Sequence, residues 1–463
     1  MSAFDEASNE QPNEQPNEPS KIIRAFTQLL NPSPQFRTID RHNQDQPFPS
    51  PSKIAMKILE VLTYYRPHVS GLTIYVERLC EALAAQGHEV TVLTSQFDNS
   101  LPLEETVRGV KIIRVPVAFR ISKGVIMPTF GIKATRWARW ADVMHLHLPQ
   151  FDAPGLALRG KLLGRPVILT YHCDLQLPTG GINKAVNAVV KTMNQIAGSL
   201  SNAVVTYTRD YGMNTPFLKQ YLEKKLHIIP PPVALAECSA EHSAAFRRKH
   251  HLQGRKVVGI SARLATEKGV EVLLNALPLI LREHPDAVIL HAGPYQNVLG
   301  EEAYAARLEP FFTMFQKNYL RLGTLHGADL TAFYKNLDCL VICSLNSTES
   351  FGLVQIEAMK NGVPVVASNL PGVRQSVTMT GMGEVVPIGD YDALGQSINQ
   401  VLSNKKSYQR DATLIGDTFS PDQTAAEYLK LFKALIAGVK GSTTPEPGPY
   451  EKLRQMRDNW NKA

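Results

Sequence analysis

From Met56 onward, short apolar runs alternate with stretches in which apolar residues recur every three or four positions. The runs predict buried strands and the recurrences predict amphipathic helices. Met56 to Thr63 reads as a strand, and Leu72, Val76, Leu79 and Leu83 share one face of a helix that Gly87-His88 ends. Further strands are predicted at Glu89 to Thr94, Val110 to Val117, Asp142 to Leu148, Val167 to His172, Ala203 to Thr208 and Leu226 to Ile229. Continuous apolar strands separated by helices describe a parallel sheet covered on both faces.

The pattern pauses at Pro230-Pro231-Pro232 and the polar stretch to Gly254, then restarts. Strands are predicted at Val257 to Ser261, Ala287 to Ala292, Leu320 to Leu325, Cys339 to Ser344 and Val363 to Ala367. Helices are predicted at Val270 to Glu283, Leu330 to Leu337, Phe351 to Lys360 and Tyr391 to Leu402. Two successive doubly wound α/β units result, and ligands should sit beyond the carboxyl ends of their strands, in the cleft between them. The expected division is a polar disordered tail (1–53), a first Rossmann-like domain (54–235), a linker (236–254), a second (255–418), a helix returning to the first domain (419–438) and a mobile tail (439–463).

Length supports two cores, since 463 residues exceed what one ordinary core organises. No apolar run reaches the roughly 18 to 20 residues that span a bilayer. Five cysteines without paired or zinc-like spacing fit a reducing cytoplasm. The sequon Asn346-Ser347-Thr348 abuts a candidate site residue, which also favours a non-secreted protein. A net charge of +7 favours anionic partners but is no strong footprint for nucleic acid.

The richest chemistry lies in Glu349-Ser350-Phe351-Gly352-Leu353-Val354-Gln355-Ile356-Glu357. On a helix starting near Gly352 the two acids are about 12 Å apart at roughly 1.5 Å per residue. That is too far for an acid and base pair flanking one glycosidic bond, which needs roughly 5 to 9.5 Å. It suits one extended ligand gripped at both ends, with phosphate near the helix N-terminus between them; a surface helix with two solvated glutamates fits the spacing as well. After strand Val257 to Ser261, Arg263 and Lys268 are placed to neutralise a diphosphate, or to lie in a solvated loop beside Glu267. Ser70-Gly71 opens the first helix, either as a close-approach turn for an anion or as an ordinary N-cap. His145, His147 and His172 sit at strand ends. His172 is favoured for a substrate contact because Asp174 and Thr179-Gly180-Gly181 follow it, while His145 and His147 are read as facing opposite ways and so not as a shared metal pair. No Gly-x-Gly-x-x-Gly or Walker sequence appears at the turns, which argues against a dehydrogenase or P-loop enzyme.

Taken together, these residues resemble the retaining nucleotide-sugar glycosyltransferases of glycosyltransferase family 4, with two Rossmann-like domains in the GT-B arrangement. The resemblance spans roughly Met56 to Ala437. Its markers are Ser70-Gly71, Gly87-His88-Glu89-Val90, Asp142 to His147, Thr170-Tyr171-His172, Ser261 to Leu264 with Lys268-Gly269, Glu349 to Met359, Gly362 to Ser368, Leu370-Pro371-Gly372-Val373 and Pro387-Ile388-Gly389-Asp390. It implies that Arg263 and Lys268 stabilise the departing nucleoside diphosphate, that Glu357 binds ribose hydroxyls and that Glu349 faces the donor sugar. Ser70, Gly71, Gly293, Ser350, Phe351, Gly352 and Leu353 complete the donor site, and His172 contacts the transferred sugar. A nucleoside-diphosphate sugar is then a co-substrate, no cofactor or metal is expected, and the acceptor is a carbohydrate or a lipid. Two departures stand out: relatives often carry a glycine pair at Ser70-Gly71, and Pro-Asn-Gly-Val-Asp where this chain has Pro230-Pro231-Pro232-Val233-Ala234. A non-catalytic nucleotide-sugar binder and a sugar phosphorylase or epimerase are the alternatives.

On the acceptor side, Arg120, Lys123, Lys133, Arg136 and Arg139 interleave with Ile121, Val125, Phe130, Trp137 and Trp140. This pattern fits either a face resting on an anionic membrane surface or a solvated helix with its tryptophans packed inward.

Overall fold

The computed structural model describes residues 55–121, 124–175, 181–298, 300–443 and 446–460. The expected tail (1–53), Lys123 and Thr179-Gly180 lie outside them.

Two sheets carry the molecule. The first contains β1 (Lys57–Val61), β2 (Glu89–Gln96), β3 (Glu104–Val107), β4 (Val110–Pro116), β7 (Val143–Leu148), β8 (Val167–Tyr171), β9 (Ala203–Thr206) and β10 (Leu226–Ile228), in the order β10-β9-β8-β7-β1-β2-β4-β3. Every neighbouring pair is parallel except β3 with β4. Strands β5 (Phe119–Ile121) and β6 (Gly124–Ile126) form a separate hairpin. The second sheet, β11 (Val257–Ser261), β12 (Val288–Ala292), β13 (Tyr319–Gly323), β14 (Cys339–Ile342), β15 (Val365–Ser368) and β16 (Gly383–Val386), runs β13-β12-β11-β14-β15-β16 and is parallel throughout. Each order reverses direction at its first strand, so β1 and β11 mark the switch points beyond whose carboxyl ends ligands bind. The central strands β1, β7, β8, β9 and β12 are buried along nearly their whole length, as parallel strands covered by helices on both faces must be.

Helix Val270–Glu283 coincides with its predicted span. Helix Pro421–Ile436 returns to the first sheet, where Tyr428 Oη meets Tyr75 Oη at 2.7 Å and Thr170 Oγ1 at 2.6 Å. Two expectations change. The stretch read as linker contains the helix Ala240–Lys249, which turns only Phe246 fully inward and so shows little apolar periodicity. The C-terminal stretch read as a mobile tail contains the helix Gly448–Trp460, docked by buried Tyr450 and Leu453; Tyr450 Oη donates to the Tyr207 carbonyl at 2.8 Å. The proline run is also no loose hinge. Val233 N–H donates to Phe419 O at 2.7 Å, Thr424 donates to Pro230 O at 2.9 Å, and Arg78 donates to Pro232 O and Ala234 O at 3.2 and 2.6 Å.

Candidate active site

The second sheet delivers its charges at the carboxyl end of β11. The chain leaves Ser261, turns through a single 3₁₀ turn at Thr266–Lys268 and enters helix Val270–Glu283 by way of Gly269, at φ +63°. A Cβ at Gly269 would fall 2.2 Å from Cys343 O, so glycine is required for this turn to lie against β14. The turn aims Lys268 at the loop after β14, where its Nζ stands 2.6 Å from Glu349 Oε2 with both side chains about one-fifth exposed. Burial alone would lower the Lys268 ammonium, but the Glu349 carboxylate outweighs it and the net shift is upward. Arg263, more open, pairs with Glu267; burial would raise that carboxyl, yet the guanidinium brings it down.

Glu349, Ser350 and Phe351 lead into helix Leu353–Met359, with Gly352 at φ +77° as its N-cap. Neither acid turns outward. Glu357 is buried, its Oε1 3.0 Å from Arg78 Nη2 and its Oε2 accepting from Tyr334 Oη at 2.7 Å. Each of those oxygens keeps a further lone pair for a ligand hydroxyl. Gly293, at φ +141°, presses against the Arg263 loop: a Cβ there would lie 2.0 Å from Ala262 O. Leu353 is half-buried, while Ser350 and Phe351 are buried.

From the first sheet, Ser70 caps helix Gly71–Ala85 through a capping box with Thr73, so its own N–H is engaged by Thr73 Oγ1 at 2.7 Å. Gly71 is exposed, and a Cβ there would meet no heavy atom within 4 Å. His172 follows β8 with its ring inside the protein: Nε2 is 2.9 Å from His147 Nδ1, and Nδ1 meets the Tyr207 hydroxyl. In this arrangement neither ring nitrogen is left over for a sugar. The His172 carbonyl instead accepts from Ser350 Oγ, tying the first unit to the loop after β14.

His145 and His147, expected to face apart, point the same way, because positions two apart on a strand share a face. Both meet Glu60 Oε2 on the neighbouring β1, His147 Nε2 at 2.7 Å and His145 Nδ1 at 2.9 Å, and the donor atoms of the three lie within 4.8 Å of one another. The structure thus groups Arg263, Lys268, Gly293 and the Glu349 to Glu357 segment on one wall, with His172 joined to it through Ser350. Sequence reasoning missed Arg78, Glu60, Tyr207 and the Asp210–Arg374 pair, whose closest contact is 2.6 Å and whose Asp210 also accepts from Gly372 N–H at 2.9 Å. Each depends on residues distant in sequence and carries no local spacing signal.

Comparison with known proteins supplies the family and the fold. Glycosyltransferase Family 4 matches residues 69–237, and Glycosyl transferases group 1 matches residues 243–412. An uncharacterized glycosyltransferase of Methanocaldococcus jannaschii is 27% identical over 75% of this chain and 90% of its own length. The phosphatidyl-myo-inositol mannosyltransferase of Mycobacterium tuberculosis is 26% identical over 75% of this chain and 88% of its own. The crystal structure of Anabaena HepE in complex with UDP and glucose superposes with a TM-score of 0.63 at 17% identity, over 82% of this chain and all of that one. The two facing sheets are those of the GT-B fold. This chain belongs to glycosyltransferase family 4.

Proposed function

We propose that this glycosyltransferase is a retaining enzyme that moves a hexose-type sugar from a nucleoside-diphosphate sugar to an acceptor hydroxyl on a lipid or lipid-linked molecule in the cytoplasm. The observation that carries the reading is the Lys268–Glu349 pair. A cation and an acid from two separate strand ends are held 2.6 Å apart beside Arg263, at the entrance to the helix that bears Glu357.

In this reading Arg263 and Lys268 meet the diphosphate, arginine as a planar fork and lysine as a point charge, and stabilise the negative charge that grows on the leaving group. Glu349, released from Lys268 as phosphate replaces it, faces the sugar. Glu357, held by Arg78 and Tyr334, takes the ribose hydroxyls. The acceptor hydroxyl loses its proton to the departing phosphate on the same face, which preserves the anomeric configuration, so positioning and charge stabilisation carry the catalysis. A nucleotide-sugar donor agrees with the UDP and glucose found in Anabaena HepE, and a lipid acceptor with the phosphatidyl-myo-inositol named for the mycobacterial relatives.

A membrane partner is favoured by charge placement. Residues 119–202 hold ten Lys or Arg against three Asp or Glu, a surplus equal to the chain's whole formal net charge of +7. Among the described residues, Arg120, Lys133, Arg136, Arg139, Arg159, Lys161, Arg165 and Lys191 form no ion pair. The aromatic half of the expected face is corrected: Phe130 and Trp137 are buried, and Trp140 packs against the core. Exposed Ile132, Phe151, Leu158, Leu162, Val189 and Ile196 supply the apolar part, on or beside helices Phe130–Trp140, Ala153–Leu162 and Gly181–Leu200. At low salt the protein should sediment with anionic vesicles and stay in solution with neutral ones, and added salt should release it. Equal recovery from both would remove the membrane from the proposal.

Incubation with uridine, guanosine and adenosine diphosphate sugars tests the activity itself. One donor should yield a nucleoside diphosphate and an α- or β-product matching the donor's anomer. Binding without turnover on any donor would favour the non-catalytic alternative, and an inverted product would exclude retention.

A further inference from the structure

Beneath the candidate site runs a buried chain of hydrogen bonds that begins on a single carboxylate. Glu60 lies in the apolar run of β1 and is wholly inaccessible. We propose that Glu60 is a positioning residue of the transfer site: acting through His147, it dictates which nitrogen of His172 carries the proton and so fixes the ring that orients Tyr207 against Phe351.

The proton directions follow from the geometry. A carboxylate oxygen only accepts, so His147 Nε2, 2.7 Å from Glu60 Oε2, carries hydrogen. A neutral imidazole has one N–H, so His147 Nδ1 presents a lone pair. His172 Nε2, 2.9 Å away, must therefore donate. That leaves His172 Nδ1 as an acceptor, filled by the Tyr207 hydroxyl. Protonation states agree with this order. Burial would raise the Glu60 carboxyl, but His145 and His147 outweigh it and hold it at about 2. Burial, with repulsion from His145, lowers His147 to about 4, and burial with the neighbouring histidines lowers His172 well below its ordinary value. Burial drives the Tyr207 hydroxyl well above its ordinary value, so it stays a donor.

A second histidine stands against the same oxygen, at ion-pair distance but outside hydrogen-bond geometry. His145 Nδ1 lies 2.9 Å from Glu60 Oε2, and its Nε2 is 2.7 Å from Thr170 Oγ1, which meets Tyr428 Oη and through it Tyr75 Oη. The Tyr75 ring stands edge-on to His172, with centroids 4.9 Å apart.

The consequence lies at the far end. Tyr207, oriented by its bond to His172, sets its ring edge-on to Phe351 at 5.9 Å, and Ser350 Oγ donates to the His172 carbonyl. A His172 ring with the other tautomer would set its Nε2 lone pair against that of His147 Nδ1 and would have to turn, shifting Tyr207 and the Phe351 ring packed against it. The functional half of this inference rests on the reading that Ser350 and Phe351 hold the donor; the tautomer half does not.

The test is nitrogen-15 NMR of the full-length protein with labelled histidine, assigned with the single variants His147→Gln and His172→Gln. Between pH 6.5 and 8, His147 and His172 should both appear neutral and protonated at Nε2. A cationic His172, or one protonated at Nδ1, would overturn the proposal, and this arm needs no substrate and no Glu60 variant. In Glu60→Gln the amide can donate as well as accept, so His172 should become a mixture of tautomers. Turnover should fall roughly 10- to 100-fold in kcat with little change in donor KM. Unchanged tautomers in a folded Glu60→Gln would sink the relay, and changed tautomers with wild-type turnover would sink its positioning role. Tyr207→Phe, which leaves the Glu60 pair intact, should keep both Nε2 protons while lowering kcat.

Discussion

Replacing Lys268 with alanine is expected to lower kcat by about 10²- to 10³-fold, the scale seen when one donor to a developing oxyanion is removed. The effect should be large because Lys268 is held by the protein before any donor arrives: its ammonium is kept charged by Glu349 and aimed by the Gly269 turn. A flexible surface lysine would contribute far less, since ordering it would offset much of its attraction. The substitution also strands Glu349, which is only about one-fifth exposed, so some stability will be lost. Lys268→Ala combined with Glu349→Gln removes that unpaired charge and should recover stability without recovering turnover. Equal kcat in wild type and Lys268→Ala would show that the Lys268–Glu349 pair is only structural.

The second large effect is on acid stability. Burial lowers His147, His227 and His291 to about 4 in the folded protein. His291 shows the arrangement clearly, with Nε2 donating to Ala262 O at 2.8 Å and Nδ1 accepting from Tyr319 Oη at 2.9 Å, so protonation would break a bond. An unfolded histidine takes up a proton near pH 6.5, well before the folded one. The unfolded state therefore binds more protons between about pH 6.5 and 4, and stability falls as pH falls through that window. Each histidine contributes about 1.4 kcal/mol per pH unit there, so the three together give a slope of about 4 kcal/mol per pH unit, steep beside a total of roughly 5 to 15 kcal/mol. Urea unfolding at pH 7.5, 6.5, 5.5 and 5 should show a plateau followed by a steep decline. Glu60 adds a separate loss at lower pH: with its folded carboxyl at about 2, its contribution holds above about 4.5 and fades as pH drops toward 2. A flat profile from pH 7 to 5 would contradict the neutral, buried histidines.

The sequence disclosed the strands and the loops after them more readily than what connects those loops. Short, mostly apolar runs such as Val143–Leu148 and Val167–Tyr171 recur between helical patterns, so the strands stand out. The charges of Arg263, Lys268, Glu349 and Glu357 stand beside such runs and inherit their location. Glu60 stands inside one, where a lone acid among Ile58, Leu59 and Val61 looks like an exposed position on a strand. Its burial follows from two histidines on β7, some 85 residues away in sequence. Arg78 was hidden for the same reason: its partners are the proline run and Glu357. Helix Gly448–Trp460 was missed because only Tyr450 and Leu453 are fully buried, too few to set a period. The misreading of His145 and His147 was an error about strand alternation, and the structure corrects it.

The central claim is that a diphosphate is gripped by Arg263 and Lys268 in the cleft between the sheets. Calorimetric titration of the wild type and of Arg263→Glu with uridine, guanosine and adenosine diphosphates tests it most directly. One of the three should bind the wild type at a single site, and the charge reversal should abolish that binding while thermal unfolding stays cooperative. Undiminished binding to a folded Arg263→Glu, or no binding of any of the three to the wild type, would contradict the account.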